Sequence, residues 1–460
     1  MTISLLALNP FLVGLIQQGY LERIMKEALV SETLFRRDIP SDVFQGKIGE
    51  RKYIPRSGLL PISLVPGVPG VDPIPGNYAR EAYYAEMRSY PGTVDAYLPH
   101  DYIGVVKEST EKAQKIGIQA AQTIDRLARQ SLYRAYLAGN TNAVAAAGIG
   151  AFNIQVASLN GFTESNVATT GMPAPVSATN PLVITFGGLE PARNVVAFAP
   201  NNPADPLGPG ILTINAALTV GVALREAVLA QNRSLVIYSG GGNSVDNIAA
   251  GDTLTMADLV NATGQLRRGP ASVPMFGGAY RAHMPVIGQT QLLADPLIRG
   301  MIHDKTIPVE WADASIGKLG KALLIENPGC PDAINSGALV TSGALAFCAP
   351  EIGADVINNV GVPVAYTLVY GEGYAVEEYI PPGSSPAEVS MSEVKAMPPA
   401  SSSDVPLNVE RVEMTIRPPI DRRGKVTAFT WEWTGDFCIP TDITTQARRY
   451  RRACVICHAG

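Results

Sequence analysis

The sequence predicts an α+β chain. Three observations carry that expectation: an extended two-stranded ribbon near the N-terminus, a long helix directly after it, and a later block of short strands separated by turn clusters. Lys47 to Ile54 and Ala82 to Leu98 both read as strands. Between them Leu59 to Gly76 is a Pro/Gly-rich tract that can neither coil nor join the interior of a sheet. Isolated hairpins are marginal in water, and nothing in the neighbouring sequence offers this one a surface. Its expected partner is a second copy of the chain.

Ahead of the ribbon, Leu5 to Ile16 is apolar but lacks a basic flank, is broken by Asn9-Pro10 and is followed by no small-residue cleavage site. It reads as an arm that docks on a partner subunit. It is too short to span a bilayer, and no other stretch is long enough, so no membrane is expected. Gly19 to Arg37 places Leu21, Ile24, Met25, Ala28 and Leu29 on one helical face.

From Asp101 to Leu137 the pattern is helical, and Gly139 closes it. Ala113, Ile116, Ala120, Ile124, Leu127 and Ser131 form a narrow seam, while Lys107, Glu108, Glu111, Lys112, Lys115, Asp125, Arg126 and Arg129 occupy the rest. Such a helix is half-covered and lies across a sheet. It would run roughly 50 Å.

After Asn140 the character changes. Ala143 to Asn180 is rich in Ala, Gly, Ser and Thr and nearly uncharged, and Pro181 to Thr255 gives short strands with turn clusters. This spacing predicts an antiparallel sandwich or barrel, and Ala143 to Gly251 is read as an insertion. Ala257 to Arg268 then predicts a helix, Ala279 to Ile287 a buried strand and Thr290 to Ile302 a further helix. Gly317 to Ile325 and Ala344 to Ala349 are apolar strand segments, Pro363 to Tyr379 a strand pair, and Pro381 to Pro406 a Pro/Ser-rich surface excursion. Asn408 to Arg417 and Lys425 to Asp436 alternate as strands, the second with Phe429, Trp431 and Trp433 on one face.

Bulk properties limit the functions available. In 460 residues, 46% are hydrophobic and 17% charged, which describes a folded chain with a sizeable core. Its 36 prolines and 44 glycines call for many loops and extended arms. A net charge of -5 argues against general nucleic-acid binding; any DNA contact is weak or local. Five cysteines, odd in number and unevenly spread, point to a reducing cytoplasm and not to a disulfide framework.

Several local patterns carry chemistry elsewhere and are read as bland here. Cys454, Cys457 and His458 fit the haem-attachment spacing, but at the extreme C-terminus they are expected to be tail thiols, with crosslinking of Cys454 or Cys457 to a neighbour as the alternative. His100, His283 and His303 have no paired-ligand spacing. Gly240 to Gly242 follows a strand but lacks the Lys-Ser/Thr pair of a phosphate loop, so a hairpin turn is expected. Ser315 with Lys318, and Ser392 with Lys395, match a serine-lysine spacing without a supporting motif. The basic run Arg448, Arg449, Arg451 and Arg452 reads as a solvated tail or a partner of acidic groups on a neighbour. No catalytic, cofactor or metal residue is assigned.

The order of these segments resembles the major capsid protein of tailed bacteriophages, the shell fold shared with herpesvirus capsids. The resemblance rests on GERKYIPRSG, on TEKAQKIGIQAAQTIDRLARQSLYRAYLAGNT, on LVNATGQLRRGPASVPMFGGAYRAHMPVIGQTQLLADPLIR, IGKLGKALLIENPG and YTLVYGEGYAVE, and on an insertion carrying VVAFAPNNPADPLGPGILTINAAL and VIYSGGGNSVD. It implies an N-terminal arm (1–46), an extended loop (47–100), a peripheral domain with the spine helix and strands (101–142 and 408–460), a β-rich insertion (143–251) and an axial domain with a surface loop (252–407). It also implies a non-enzymatic subunit of an icosahedral head enclosing double-stranded DNA, assembled in the host bacterial cytoplasm from pentamers and hexamers. A separate scaffolding protein, a portal protein and a possible decoration protein would be its partners. The inter-subunit residues expected are Tyr53, Arg56, Tyr84, Glu86 and Arg88 of the ribbon. Two other functions stay open at this point: a surface- or glycan-binding module in the insertion, and a polysaccharide-active enzyme needing two facing carboxylates.

Overall fold

The computed structural model describes residues 34–44, 51–58, 60, 72, 78, 80–97, 108–167, 170–268, 272–303, 318–333, 357–358, 360–380, 406–409, 411–417, 426–441 and 451–460. The chain is α+β. Its helices are α1 Glu108–Tyr136, α2 Met256–Arg267, α3 Val286–Ala294 and α4 Pro296–His303. The strands begin with β1 Ser41–Val43, β2 Arg51–Ser57, β3 Arg80–Glu86 and β4 Arg88–Tyr97. After α1 come β5 Asn140–Asn142, β6 Asn153–Val156, β7 Glu164–Asn166, β8 Pro173–Pro175, β9 Leu182–Phe186, β10 Arg193–Pro200, β11 Gly210–Ile214, β12 Ala227–Ala230 and β13 Val236–Tyr238. The remaining strands are β14 Tyr280–Met284, β15 Lys318–Leu319, β16 Ala322–Glu326, β17 Val364–Tyr370, β18 Val376–Tyr379, β19 Pro406–Val409, β20 Val412–Arg417, β21 Val426–Cys438 and β22 Ala453–Ala459.

Two compact units result, one from Met1–Lys52, Tyr84–Ala128 and Val376–Cys438, the other from Tyr53–Tyr83, Arg129–Ala375 and Ile439–Gly460. The first unit holds a sheet in the order β1-β18-β21-β20-β19, with β4 also paired to β21. Side chains alternate across a strand, so Phe429, Trp431, Trp433 and Phe437 of β21 share one buried face. Trp433 stacks on Phe437 at 5.2 Å and on Tyr90 of β4 at 5.8 Å. Gly92 of β4 pairs with Trp431, and a Cβ at Gly92 would lie 2.3 Å from the Trp431 Nε1.

The second unit holds two further sheets. One runs β13-β22-β17-β14-β16-β15, the other β5-β12-β9-β10-β11-β6. The latter is antiparallel throughout, as the short alternating strands require, and buries Ile154, Phe162, Ile184, Leu212 and Val228 in its own core. The former buries Tyr280, Met284, Val369 and Ile456 with Leu259 and Leu266 of α2. Thr255 and Asp258 close a capping box at the start of α2.

Several expectations are corrected. Residues 453–459, read as a tail beside the peripheral strands, form β22, fully buried between β13 and β17. Val236–Tyr238, read as part of the insertion, pairs with β22 instead of with the insertion's sheet. The pair read in Pro363 to Tyr379 separates: β17 joins β14 and β22, while β18 joins β1 and β21. The helix read in Thr290 to Ile302 is two helices, because the residue before Pro296 is driven from helical geometry; Asp295 is extended and accepts from the N–H of Leu297 at 2.8 Å.

In α1 the buried positions run through Ile116, Ala120, Ala121, Ile124 and Ala128 to Leu132, Tyr133 and Tyr136. Beyond Ile124 they leave the expected seam, and Leu127 and Ser131 are only half-buried. Arg129, expected outside, is buried and donates to the Gly329 carbonyl at 2.6 Å. Gly139 ends the helical region with φ 75°. Outside the described residues lie the arm before residue 34, Lys47 to Glu50, nearly all of Leu59 to Gly76, Ala344 to Ala349 and Pro381 to Val405.

Candidate assembly surface

The ribbon is β2 and β3, a two-stranded sheet. Strand β2 alternates exposed and half-buried residues along its whole length, as expected of a strand covered on one face only. Strand β3 does not: Ala82, Tyr83 and Ala85 are buried. The expectation that the ribbon finds nothing in its own chain therefore fails for β3. Its Ala82 N–H donates to the Gly171 carbonyl at 3.0 Å, and a Cβ on Gly171 would meet the Arg80 carbonyl at 2.1 Å. The loop joining β7 to β8 thus seats this strand.

The five expected residues fall into two groups. Tyr53 is 42% exposed, and the Arg56 guanidinium lies 5.9 Å from the centre of the Tyr83 ring. Nearer the root, Arg51 sits over Tyr84 at 5.1 Å and donates to Glu86 Oε1 at 3.1 Å, while Arg88 donates to Glu86 Oε2 at 2.8 Å. The hydrogen bond from Arg88, followed by that from Arg51, holds the Glu86 carboxyl below its ordinary range against the opposing effect of burial. Exposed pairs of this kind contribute less than ~1 kcal/mol each. Their geometry suits recognition through guanidinium, carboxylate and phenol.

The anchors of this root were not singled out from the sequence. Glu377 and Glu378 are adjacent on β18, so they point to opposite faces, and both are buried. Arg36 Nη2 meets Glu377 Oε1 at 2.8 Å, and Arg411 also donates to Glu377. Lys52 of β2 meets Glu378 Oε1 at 2.7 Å. Burial disfavours the charged Lys52, but its hydrogen bond to Glu378 and the charge there outweigh this and raise its pKa. The Glu86 N–H donates to Asp436 on β21 at 2.9 Å, and burial raises the Asp436 carboxyl. The adjacent acids in VEEY were the one available signal.

The remaining expected sites are accounted for as follows. Cys454 and Cys457 are fully buried in β22, and burial pushes the Cys457 thiol well up. Arg451 is buried and Arg452 donates to the Glu372 carbonyl at 3.1 Å, so these two are not a solvated tail; Arg448 and Arg449 lie outside the described residues. His283 is buried against Tyr370, with Nε2 2.8 Å from its hydroxyl. His458 accepts from Thr367 Oγ1 at 3.2 Å and donates to the Ala459 carbonyl at 3.0 Å; burial pulls its pKa down to about 4. Gly240 and Gly241 lie in a short turn, both with φ 80°. His100, Ser315, Ser392 and Lys395 lie outside the described residues. Among the described residues no three His, Cys, Asp or Glu side chains gather as metal ligands, and no helix is long and apolar enough to cross a membrane.

No protein-family model matches the sequence, and neither does any curated protein. Solved structures do. The likeness is to capsid chains of bacteriophages. The capsid chain of cyanophage Pam1 is 9% identical over 95% of this chain and 93% of its own, with a TM-score of 0.48. That of Ralstonia phage GP4 is 12% identical over 94% and 92%, with a TM-score of 0.47. The acid-stable capsid of Helicobacter pylori bacteriophage KHP30 is 7% identical over 91% and 88%, with a TM-score of 0.45.

Proposed function

We propose that this chain is the major capsid protein of a tailed bacteriophage, a non-enzymatic subunit that closes, in many copies, into an icosahedral head around double-stranded DNA. One observation carries the reading: strand β2 of the two-stranded ribbon is covered on one face only and leaves Tyr53 exposed, while its Arg51 and Lys52 pair with Glu86 and Glu378. The uncovered face of β2, with Tyr53 and Pro55 exposed, is suited to lie on a neighbouring copy, where burial contributes at ~25 cal/mol per Å2. On this reading Tyr53, Arg56, Tyr84, Glu86 and Arg88 lie at or beside the contact. Pentamers and hexamers form in the host cytoplasm with a scaffolding protein, a portal and, in some shells, a decoration protein as partners, and DNA is touched only weakly.

The test is direct. The full chain, purified and followed by sedimentation and negative-stain microscopy, is expected to give rings of five or six copies or closed shells. A compact monomer under all conditions, with or without co-expressed partners, would overturn the reading.

A further inference from the structure

One end of the β13-β22-β17-β14-β16-β15 sheet gathers basic residues. The Gly371 N–H just past β17 donates to the Arg452 carbonyl, and the Tyr280 N–H at the start of β14 donates to the Lys321 carbonyl. Arg281 pairs with Tyr370, and Tyr280 with Ala322. Arg452, Gly371, Tyr280 and Lys321 therefore stand in one row across four neighbouring strands. At ~4.8 Å per strand spacing the row is ~14 Å long. Helix α2 ends beside it. The Leu266 carbonyl accepts from the Val273 N–H, the Val273 carbonyl accepts from the Tyr280 hydroxyl at 2.9 Å, and Thr263 donates to the Gly320 carbonyl at 3.0 Å. These bonds bring Arg267 and Arg268, both exposed, to the same end.

The cations here are not matched by acids. Residues 266–281, 317–325 and 451–453 contain no Asp or Glu, and Glu372 is the one carboxylate in residues 370–373. Among the described residues no carboxylate pairs with Arg267, Arg268, Lys321 or Arg451; the Arg267 Nε donates within its own helix, to the Thr263 carbonyl at 3.3 Å. Arg451 is 4% exposed, and a buried guanidinium without a counter-charge is costly. Burial raises the pKa of the Tyr280 hydroxyl while the charges of Arg267 and Arg451 oppose it, so both cations act at one point. Lys321 occupies the two-residue turn between β15 and β16 with φ 70°, in the left-handed region where glycine is favoured. The turn thus keeps a lysine where the backbone is strained by it.

Clustered cations without counter-charge select an anion. Duplex DNA carries one negative charge per ~1.7 Å of its axis, so ~8 phosphate charges fall within the length of this row. Long basic side chains neutralise such a backbone without fixed geometry, which is contact without sequence readout. An acidic face on a second copy is the other occupant to weigh. The adjacent acids Glu377 and Glu378 are buried and already paired within their own chain, so they offer no such face.

We propose that Arg267, Arg268 and Lys321, with the added charge of Arg451 and Arg452, bind the phosphate backbone of duplex DNA. The proposal rests on the capsid reading above for the identity of that duplex as the enclosed one. The full chain, kept as unassembled subunits or rings, is titrated against a fluorescent duplex of arbitrary sequence and followed by anisotropy. Three phosphate contacts predict a Kd that rises ~40-fold between ~50 and ~200 mM salt. The triple variant Arg267→Gln, Arg268→Gln, Lys321→Gln is expected to bind at least ~10-fold more weakly at ~50 mM salt and to lose most of the salt dependence. All three side chains are exposed, so its melting is expected to be unchanged. Lys115→Gln, which removes an exposed charge on α1, is expected to keep wild-type affinity. Shells that form while the chain binds no duplex up to ~100 μM, or binds it equally well in the triple variant, would overturn the site and leave the capsid reading intact. A triple variant that assembles poorly but binds DNA normally would also overturn it, making this end a contact between copies. Duplex binding lost in the triple variant, without rings or shells under any condition, would keep the site and remove the capsid reading. Neither binding nor shells would remove both.

Discussion

Replacing Glu190 by Gln tests how the insertion's turn at Thr219 to Gly221 is held. Its carboxylate accepts the N–H groups of Thr219 at 3.0 Å, Val220 at 2.6 Å and Gly221 at 3.0 Å, and the guanidinium of Arg193 at 2.7 Å. Burial opposes ionisation, but these donors outweigh it and hold the group at about 2 against an ordinary 4.5. That difference corresponds to ~3 kcal/mol at ~1.36 kcal/mol per pH unit. No solvent reaches the carboxylate itself, yet the turn lies at the surface beside the exposed Leu189, and screening there reduces the contribution to ~1.5 kcal/mol. A carboxyl whose pKa is depressed by folding stabilises fully above its unfolded value, loses that contribution as pH falls from about 4.5 to about 2, and contributes nothing below. Hydrogen exchange of the Thr219, Val220 and Gly221 amides reads the local opening without requiring the whole chain to unfold in one step. At neutral pH these amides are expected to exchange ~10-fold faster in Glu190→Gln than in the wild type, and the ratio should shrink toward one at the acid end of the window. Equal rates at neutral pH, or a ratio that persists at the acid end, would refute the reasoning.

Three further outcomes follow from the same geometry. His458 is neutral in its buried site, so the unfolded chain takes up the proton first; stability is complete above about 6.5 and falls toward about 4, by up to ~3 kcal/mol, and urea midpoints of His458→Gln should lack that part of the acid slope. Gly92→Ala drives a methyl group against the Trp431 ring and is expected to cost ~1–3 kcal/mol, seen as a lower melting temperature with shifted tryptophan emission; an unchanged spectrum and melt would count against the packing described. Arg36→Met leaves Glu377 buried with Arg411 as its remaining guanidinium partner, so a loss of ~3 kcal/mol is expected in denaturant titration, whereas no loss would mean that the pair contributes little.

Local periodicity was enough for the elements whose pattern is repeated within the segment. Helix α1 follows from apolar positions three and four apart, β20 and β21 from alternation, and the insertion's strands from short apolar runs between turn residues. The ribbon was legible only in part: the single strand read in Ala82 to Leu98 is two, β3 paired with β2 and β4 paired with β21, so Arg88 begins a strand of the larger sheet. The ribbon's anchors were not legible, because Arg36 and Glu377 are 341 positions apart and Lys52 and Glu378 are 326 apart.

Strand β22 marks the boundary between the two kinds of information. All seven of its residues are buried, and a strand covered on both faces has no polar alternation to announce it. Placed after a basic run at the chain's end, it reads as a tail until its register with Val364–Tyr370 is seen. The sequence by itself determined which segments with a repeating polar and apolar pattern were helical or extended, since that pattern depends on neighbours a few residues away. Tertiary structure alone decided the order of strands within each sheet and which charges are buried together, because those depend on groups hundreds of residues apart meeting in a low-dielectric interior where an unpaired charge is too costly to persist.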